Sequence, residues 1–127
     1  YVMTKHAVVG LSLGLRAEAA GYGVRVTALC PSAVETPILD SEMPGDLPAP
    51  SWRPNVRRYL TSFGGAPYPV DKLAEDTIRG VERNVPLIIT PTNARIGAFL
   101  YRLFPGLVTR QFHKALATEL ADRQKPA

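Results

Sequence analysis

Two side chains able to handle a proton stand four residues apart at the head of the sequence, the phenol of Tyr1 and the ammonium of Lys5 in Tyr1-Val2-Met3-Thr4-Lys5. On a helix, residues i and i+4 lie one above the other on one face, so this spacing sets positive charge beside the phenol. A phenol titrates near ~10 and is a poor base and a slow acid at neutral pH. Bringing it about 3 units toward neutrality takes on the order of 4 kcal/mol of preferential stabilisation of the phenolate. A close cation is one of the few groups that supplies it. The same four-residue spacing also describes an exposed helix end with a solvated lysine, so the elements that follow must decide.

Residues 1–20 carry the pattern of one long helix. Val2, Met3, Ala7, Val8, Leu11, Leu15 and Ala19 recur largely at three- and four-residue spacings, and no proline interrupts them. Gly10 and Gly14 lower helix propensity and predict a closely packed neighbour. Gly21-Tyr22-Gly23 is the stop signal. Residues 24–30, Val-Arg-Val-Thr-Ala-Leu-Cys, predict a short strand. Helix, glycine turn and strand together make an αβ unit of a parallel sheet. Pro31 ends the strand, so Ser32, Ala33, Val34, Glu35 and Thr36 fall at its C-terminal edge, where open α/β sheets bind ligands. Thr36 followed by Pro37 is also a plain helix start, with a capping hydroxyl and proline at the first position.

Five prolines and three glycines between residues 38 and 68 break up regular structure. A stretch of this length is expected to be a lid, with a short helix near residues 56–60. Trp52, Tyr59 and Phe63 punctuate it, either as an apolar face for a ligand or as anchors to the core. Pro69 opens a helix to about residue 83, with Leu73, Thr77, Ile78 and Val81 inward and Asp71, Glu75 and Asp76 in its first turns. Leu87-Ile88-Ile89-Thr90 suits a buried strand, and Thr92 or Asn93 is placed to cap the next helix. Residues 95–104 and 107–121 predict two further helices separated by Pro105-Gly106.

At 127 residues, 46% hydrophobic and 20% charged, the chain has the composition of one modest globular domain. The net charge of +4 comes from spread arginines. The tight group Arg53, Arg57 and Arg58 lacks interleaved aromatics and reads as solvated basic surface, which argues against nucleic acid as a partner. Two histidines and one cysteine, far apart, suggest no metal cluster. His6 adjoins Lys5 but points to another face of the helix. Cys30 cannot form an internal disulfide and reads as a small buried hydrophobe, which fits a reducing, cytoplasmic setting. The helical tail is too short and too charged to span a bilayer but is compatible with resting on a membrane surface. The sequence opens inside an element, without an initiator methionine, and reads as the C-terminal piece of a longer protein.

Tyr1-x-x-x-Lys5, the helix, the Val-rich strand and Pro31-Ser32-Ala33-Val34-Glu35-Thr36 together resemble the C-terminal half of a classical short-chain dehydrogenase/reductase. The order and spacing over residues 1–37 are more specific than either motif alone. The resemblance implies part of a Rossmann-type doubly wound α/β sheet over residues 1–92, with the lid at 38–68, and a helical C-terminal tail at 93–127. It implies oxidation of a small-molecule alcohol or reduction of a carbonyl, with NAD or NADP as cofactor. Tyr1 would be the general acid/base, and Lys5 would lower its pKa and bind the nicotinamide ribose. Backbone at Pro31 and Val34, with Ser32 between them, would orient the nicotinamide, and Thr36 would hydrogen-bond the cofactor. Trp52, Tyr59 and Phe63 would face the substrate. Ser32 stands where the family usually has glycine. The family's glycine-rich fingerprint, catalytic serine and asparagine precede its tyrosine and are not in this sequence. The chain alone is therefore expected to bind cofactor weakly or not at all. The family also implies a homodimer or homotetramer. The alternative is a non-catalytic, truncated module serving subunit association or attachment to a membrane surface.

Overall fold

The computed structural model describes residues 1–41, 46, 48 and 55–123, with Phe63, Gly64, Asp122 and Arg123 described by their backbone alone. Helix α1 spans Val2–Ala19, as its periodicity predicts. Its first turn closes on Tyr1, whose carbonyl accepts the Lys5 N–H at 3.0 Å and the Thr4 hydroxyl at 2.7 Å. A 3-10 turn at Ala20–Tyr22 and Gly23, with φ +72, end it. Only glycine takes that backbone without strain.

Strand β1, Ala28–Pro31, pairs in parallel with β2, Leu87–Thr90, in the register Ala28↔Leu87 to Pro31↔Thr90. The expected strand over residues 24–30 is corrected here. Because β2 is four residues long, residues 24–27 have no ladder partner. Other groups satisfy that segment instead. Arg16 donates to the Val26 carbonyl at 2.5 Å and to the Asn84 carbonyl at 2.8 Å, and the Thr27 hydroxyl donates to Val85 at 2.9 Å. Arg16 thus ties α1 to both strand entries, a role the sequence does not announce.

Between the strands lie a 3-10 turn at Pro37–Leu39, helix α2 at Val56–Gly64 and helix α3 at Val70–Glu82. Pro69 caps α3 rather than occupying its first position, and Asp71 is the acid of its first turn. Asp76 sits mid-helix and has a different task, described below. After β2, α4 covers Thr92–Leu103 and α5 covers Pro105–Arg123. Pro91, not Thr92 or Asn93, is the residue before α4. Pro105 opens α5, so Phe104 alone separates the two helices. A proline's missing N–H costs nothing at a helix start.

The result is an α/β arrangement with a small parallel sheet, matching the expected class. Among the described residues the buried ones are Ala28, Leu39, Gly80 and Ile88, with the polar Thr90 and Glu119. Helix α1 buries none of its residues. Nothing lies within 4 Å of a Cβ built on Gly10 or Gly14, so the neighbour predicted there is not found among the described residues. No described helix is long and apolar enough to cross a membrane.

Candidate active site

The Lys5 ammonium stands over the Tyr1 ring, 5.2 Å from its centroid. At an exposed site a cation over an aromatic face is worth about 0.5–1 kcal/mol. Tyr1 is 89% exposed, so its hydroxyl is open to a reactant. Lys5 makes no ion pair among the described residues. Phenol and ammonium are brought together at the head of α1, with neither spent on packing.

The turn after β1 is held by backbone. The Ser32 N–H donates to Thr90 at 2.9 Å, the Tyr68 N–H to Ala33 at 2.8 Å, and the Glu35 N–H to Tyr68 at 2.9 Å. Val34 and Tyr68 form an isolated parallel bridge. Residue 68 therefore extends the sheet one step beyond β1 and fixes the strand edge. Thr36 is extended and precedes the 3-10 turn that Pro37 opens. Among the described residues its hydroxyl reaches only the Val34 carbonyl, at a long 3.3 Å. That leaves the hydroxyl able to turn toward a ligand.

Asp76 anchors this edge from below. One carboxylate oxygen accepts from the Tyr68 hydroxyl at 2.9 Å and the Thr90 hydroxyl at 2.5 Å, and the other from Arg79 at 2.7 Å. The Thr90 and Tyr68 hydrogen bonds hold its pKa below the usual carboxylate range, and the Asp76 acceptor in turn raises the Tyr68 phenol. A carboxyl with a lowered folded-state pKa contributes stability that is present above its unfolded value near ~3.9 and lost as pH falls through the folded one. Asp76→Asn should therefore lower the urea midpoint at pH 7, with the deficit shrinking below about pH 4. An equal deficit at both pH values would contradict a role for the ionised form.

Arg57 of α2 makes a second tie. Its guanidinium donates to both Glu35 oxygens at 2.8 and 2.7 Å, and to both Asp40 oxygens at 2.8 and 2.6 Å. Hydrogen bonding to Arg57 lowers the pKa of both carboxyls, and they raise that of the guanidinium. Arg57 and Arg58 do lie at the surface, but paired to carboxylates rather than solvated alone, while Arg53 lies outside the described residues. No local spacing shows this, because the partners lie 17, 22 and 61 positions away.

A cleft of about 1040 Å³ opens between α1, the strand-edge turn, α2 and the last two helices. Val2 and His6 line it from α1, Ser32 from the turn, Ser62 from α2, and Leu100, Tyr101, Leu107 and Phe112 from α4 and α5. Of the expected site residues only Ser32 is on its wall. Tyr1 and Lys5 are not on that wall, although Val2 and His6, the residues that follow each of them in the chain, are. Pro31 is exposed, Val34 and Thr36 are half-buried, and Tyr59 is half-buried on α2 without lining the cleft. Trp52 falls outside the described residues, and the Phe63 side chain likewise. His6, placed on another face than Lys5, turns its face to the cleft, with Nδ1 3.0 Å from the Val2 carbonyl. Burial raises the Cys30 thiol pKa, as suits a small half-buried side chain. Among the described residues no three histidine, cysteine or acidic side chains group to hold a metal.

Residues 1–46 match the family described as short chain dehydrogenase. A 2,5-dichloro-2,5-cyclohexadiene-1,4-diol dehydrogenase of Sphingobium indicum is 50% identical over 75 residues, covering 59% of this chain and 26% of that protein. Short-chain dehydrogenase virB of Hypocrea virens is 38% identical over 52 residues, 41% of this chain and 21% of that protein. Oxidoreductase UcpA of Escherichia coli is 49% identical over 41 residues, 32% of this chain and 16% of that protein. The chain thus spans 16% to 26% of the length of these curated relatives. No solved structure matches it significantly.

Proposed function

We propose, from the match of residues 1–46 to the short-chain dehydrogenase family, that the chain is the C-terminal portion of an NAD(P)-dependent oxidoreductase interconverting an alcohol and a carbonyl. The observation that carries this is the Lys5 ammonium over the Tyr1 ring, at the head of the helix that feeds a fixed strand edge. In this account the Tyr1 hydroxyl gives its proton to the carbonyl oxygen in reduction and takes it back in oxidation. Lys5 favours the phenolate and offers N–H donors to ribose hydroxyls. The nicotinamide supplies the hydride when bound.

The donor set fits the nicotinamide and ribose end of such a cofactor. Lys5 has no ion pair among the described residues, the Thr36 hydroxyl is held only at 3.3 Å, and the strand edge is pinned from behind. A pyrophosphate cradle would have to come from outside this chain, because a glycine-rich turn at a helix start is not in the sequence. Residues 1–92 would form the catalytic part, with the lid at 38–68, and the cleft would take the substrate. The tail beyond residue 92 would close it. The setting would be cytoplasmic.

A second reading has its own support. Helix α1 buries nothing, while Met3 is 81% and Leu11 70% exposed. An uncovered apolar face of that kind favours association with another subunit or another part of a longer protein. A homodimer or homotetramer follows naturally, with or without catalysis.

Lys5→Met separates the readings. In the full-length protein it should cut carbonyl reduction at neutral pH about tenfold for each unit by which the phenol pKa rises, and move the rate profile to higher pH. A pH–rate profile identical to wild type would sink the assignment of Lys5.

A further inference from the structure

The C-terminal helix carries a carboxylate in an unusual setting. Glu119 is 3% exposed, in a chain whose large side chains are mostly uncovered. Its Oε1 accepts from Arg58 Nε at 2.5 Å, and its Oε2 accepts from the Asn55 backbone N–H at 3.1 Å. Asn55 caps α2, its side chain accepting the Arg58 N–H at 2.8 Å. The Glu119 carboxylate therefore sits on the first turn of α2, where free backbone N–H groups and the helix dipole favour negative charge. A carboxylate withdrawn from water this far is tolerated because it is paired and hydrogen-bonded.

The next residue back, Thr118, lies on the cleft wall, as does Phe112 earlier on the same helix. Arg57, the neighbour of Arg58, holds the opposite end of the chain of contacts through Glu35 and Asp40. Adjacent arginines thus fasten α2 to the strand-edge turn and to α5.

We propose that Glu119 is a positioning residue that, through Arg58 and Asn55, seats α5 against α2 as the outer wall of the substrate cleft, so that the C-terminal helix selects bulky apolar alcohols and carbonyls. The apolar lining contributed by α4 and α5, Leu100, Leu107, Val108 and Phe112, sets that substrate class. The selectivity rests on the oxidoreductase reading, whereas the seating of α5 rests on geometry alone.

Hydrogen exchange and steady-state kinetics on the full-length protein test the two parts. Glu119→Gln keeps the shape and removes the charge, and Arg58→Met removes the half-exposed partner. Both should raise amide exchange in residues 105–121 and at the start of α2 by about tenfold or more. Both should also raise KM for a bulky aryl ketone about tenfold, with kcat and the KM for a small aliphatic ketone held within about twofold. Glu119→Asp should recover part of each effect. Unchanged exchange in both variants overturns the seating role. Raised exchange with KM shifted equally for both ketones overturns the selectivity. A wild-type protein without reductase activity overturns the oxidoreductase reading and the selectivity with it, while the exchange result still decides whether Glu119 seats α5.

Discussion

Tyr1→Phe in the full-length protein is expected to lower kcat for carbonyl reduction by about 10²–10⁴-fold, the range that positioned proton transfer contributes. The same variant should fold as well as wild type. Helix α1 uses the carbonyl of Tyr1, which accepts the Lys5 N–H and the Thr4 hydroxyl, and phenylalanine keeps that carbonyl. The ring stays under the Lys5 ammonium, and the side chain is 89% exposed, so little packing is lost. Thermal unfolding and cofactor binding should therefore stay close to wild type while turnover collapses. That combination distinguishes a chemical role from a structural one. Equal turnover would mean that another group, with His6 on the cleft wall the first candidate, delivers the proton.

The second large effect concerns the seam between α3 and β2. A Cβ built on Gly80 would run into Cδ1 of Ile88 and come within 2.7 Å of its Cγ1, and Ile88 is one of the few buried side chains. Gly80→Ala should destabilise by about 1–3 kcal/mol, the usual cost of forcing a methyl into filled space. Ile88→Ala alone should cost about 2–5 kcal/mol through lost burial and the cavity left behind. Together they should fall well short of the sum, because the smaller residue 88 frees the space that the new methyl needs. Alanine also favours a helix over glycine by about 1 kcal/mol, so Gly80→Ala should be neutral or stabilising on the Ile88→Ala background. Urea midpoints of the four proteins decide it. Strict additivity would mean that the two positions do not share that space.

What the sequence showed and what it concealed divide by range. Helix α1, the run Leu87–Thr90 and the helix after Pro69 were legible, because period and punctuation are local signals. The Tyr1–Lys5 pair was legible for the same reason, since helix geometry alone brings residues four apart together. Strand β1 was drawn too long because its length is set by a partner 59 positions away in the register, not by its own β-branched residues. Asp76 looked like a helix-dipole charge, and only folding brings Tyr68 and Thr90 to it. Arg57 and Arg58 looked like ordinary surface charge, Glu119 carried no local signal, and their roles appear only when α2 is set between the strand edge and α5. Ser32 was marked by its place in the motif and does reach the cleft, whereas Tyr59 of the expected lid does not line it, and Trp52 and the Phe63 side chain lie outside the described residues.

The central claim is that a hydride passes at the strand edge beside Tyr1 and Lys5. Isotope transfer tests it most directly. Full-length protein would be given reduced nicotinamide cofactor carrying deuterium at the ring carbon that donates hydride, together with an aryl ketone. The account predicts deuterium on the carbinol carbon of the product, with transfer falling by about 10²-fold or more in Tyr1→Phe. No label in the product with either NADH or NADPH, or label transferred equally by Tyr1→Phe, would contradict it.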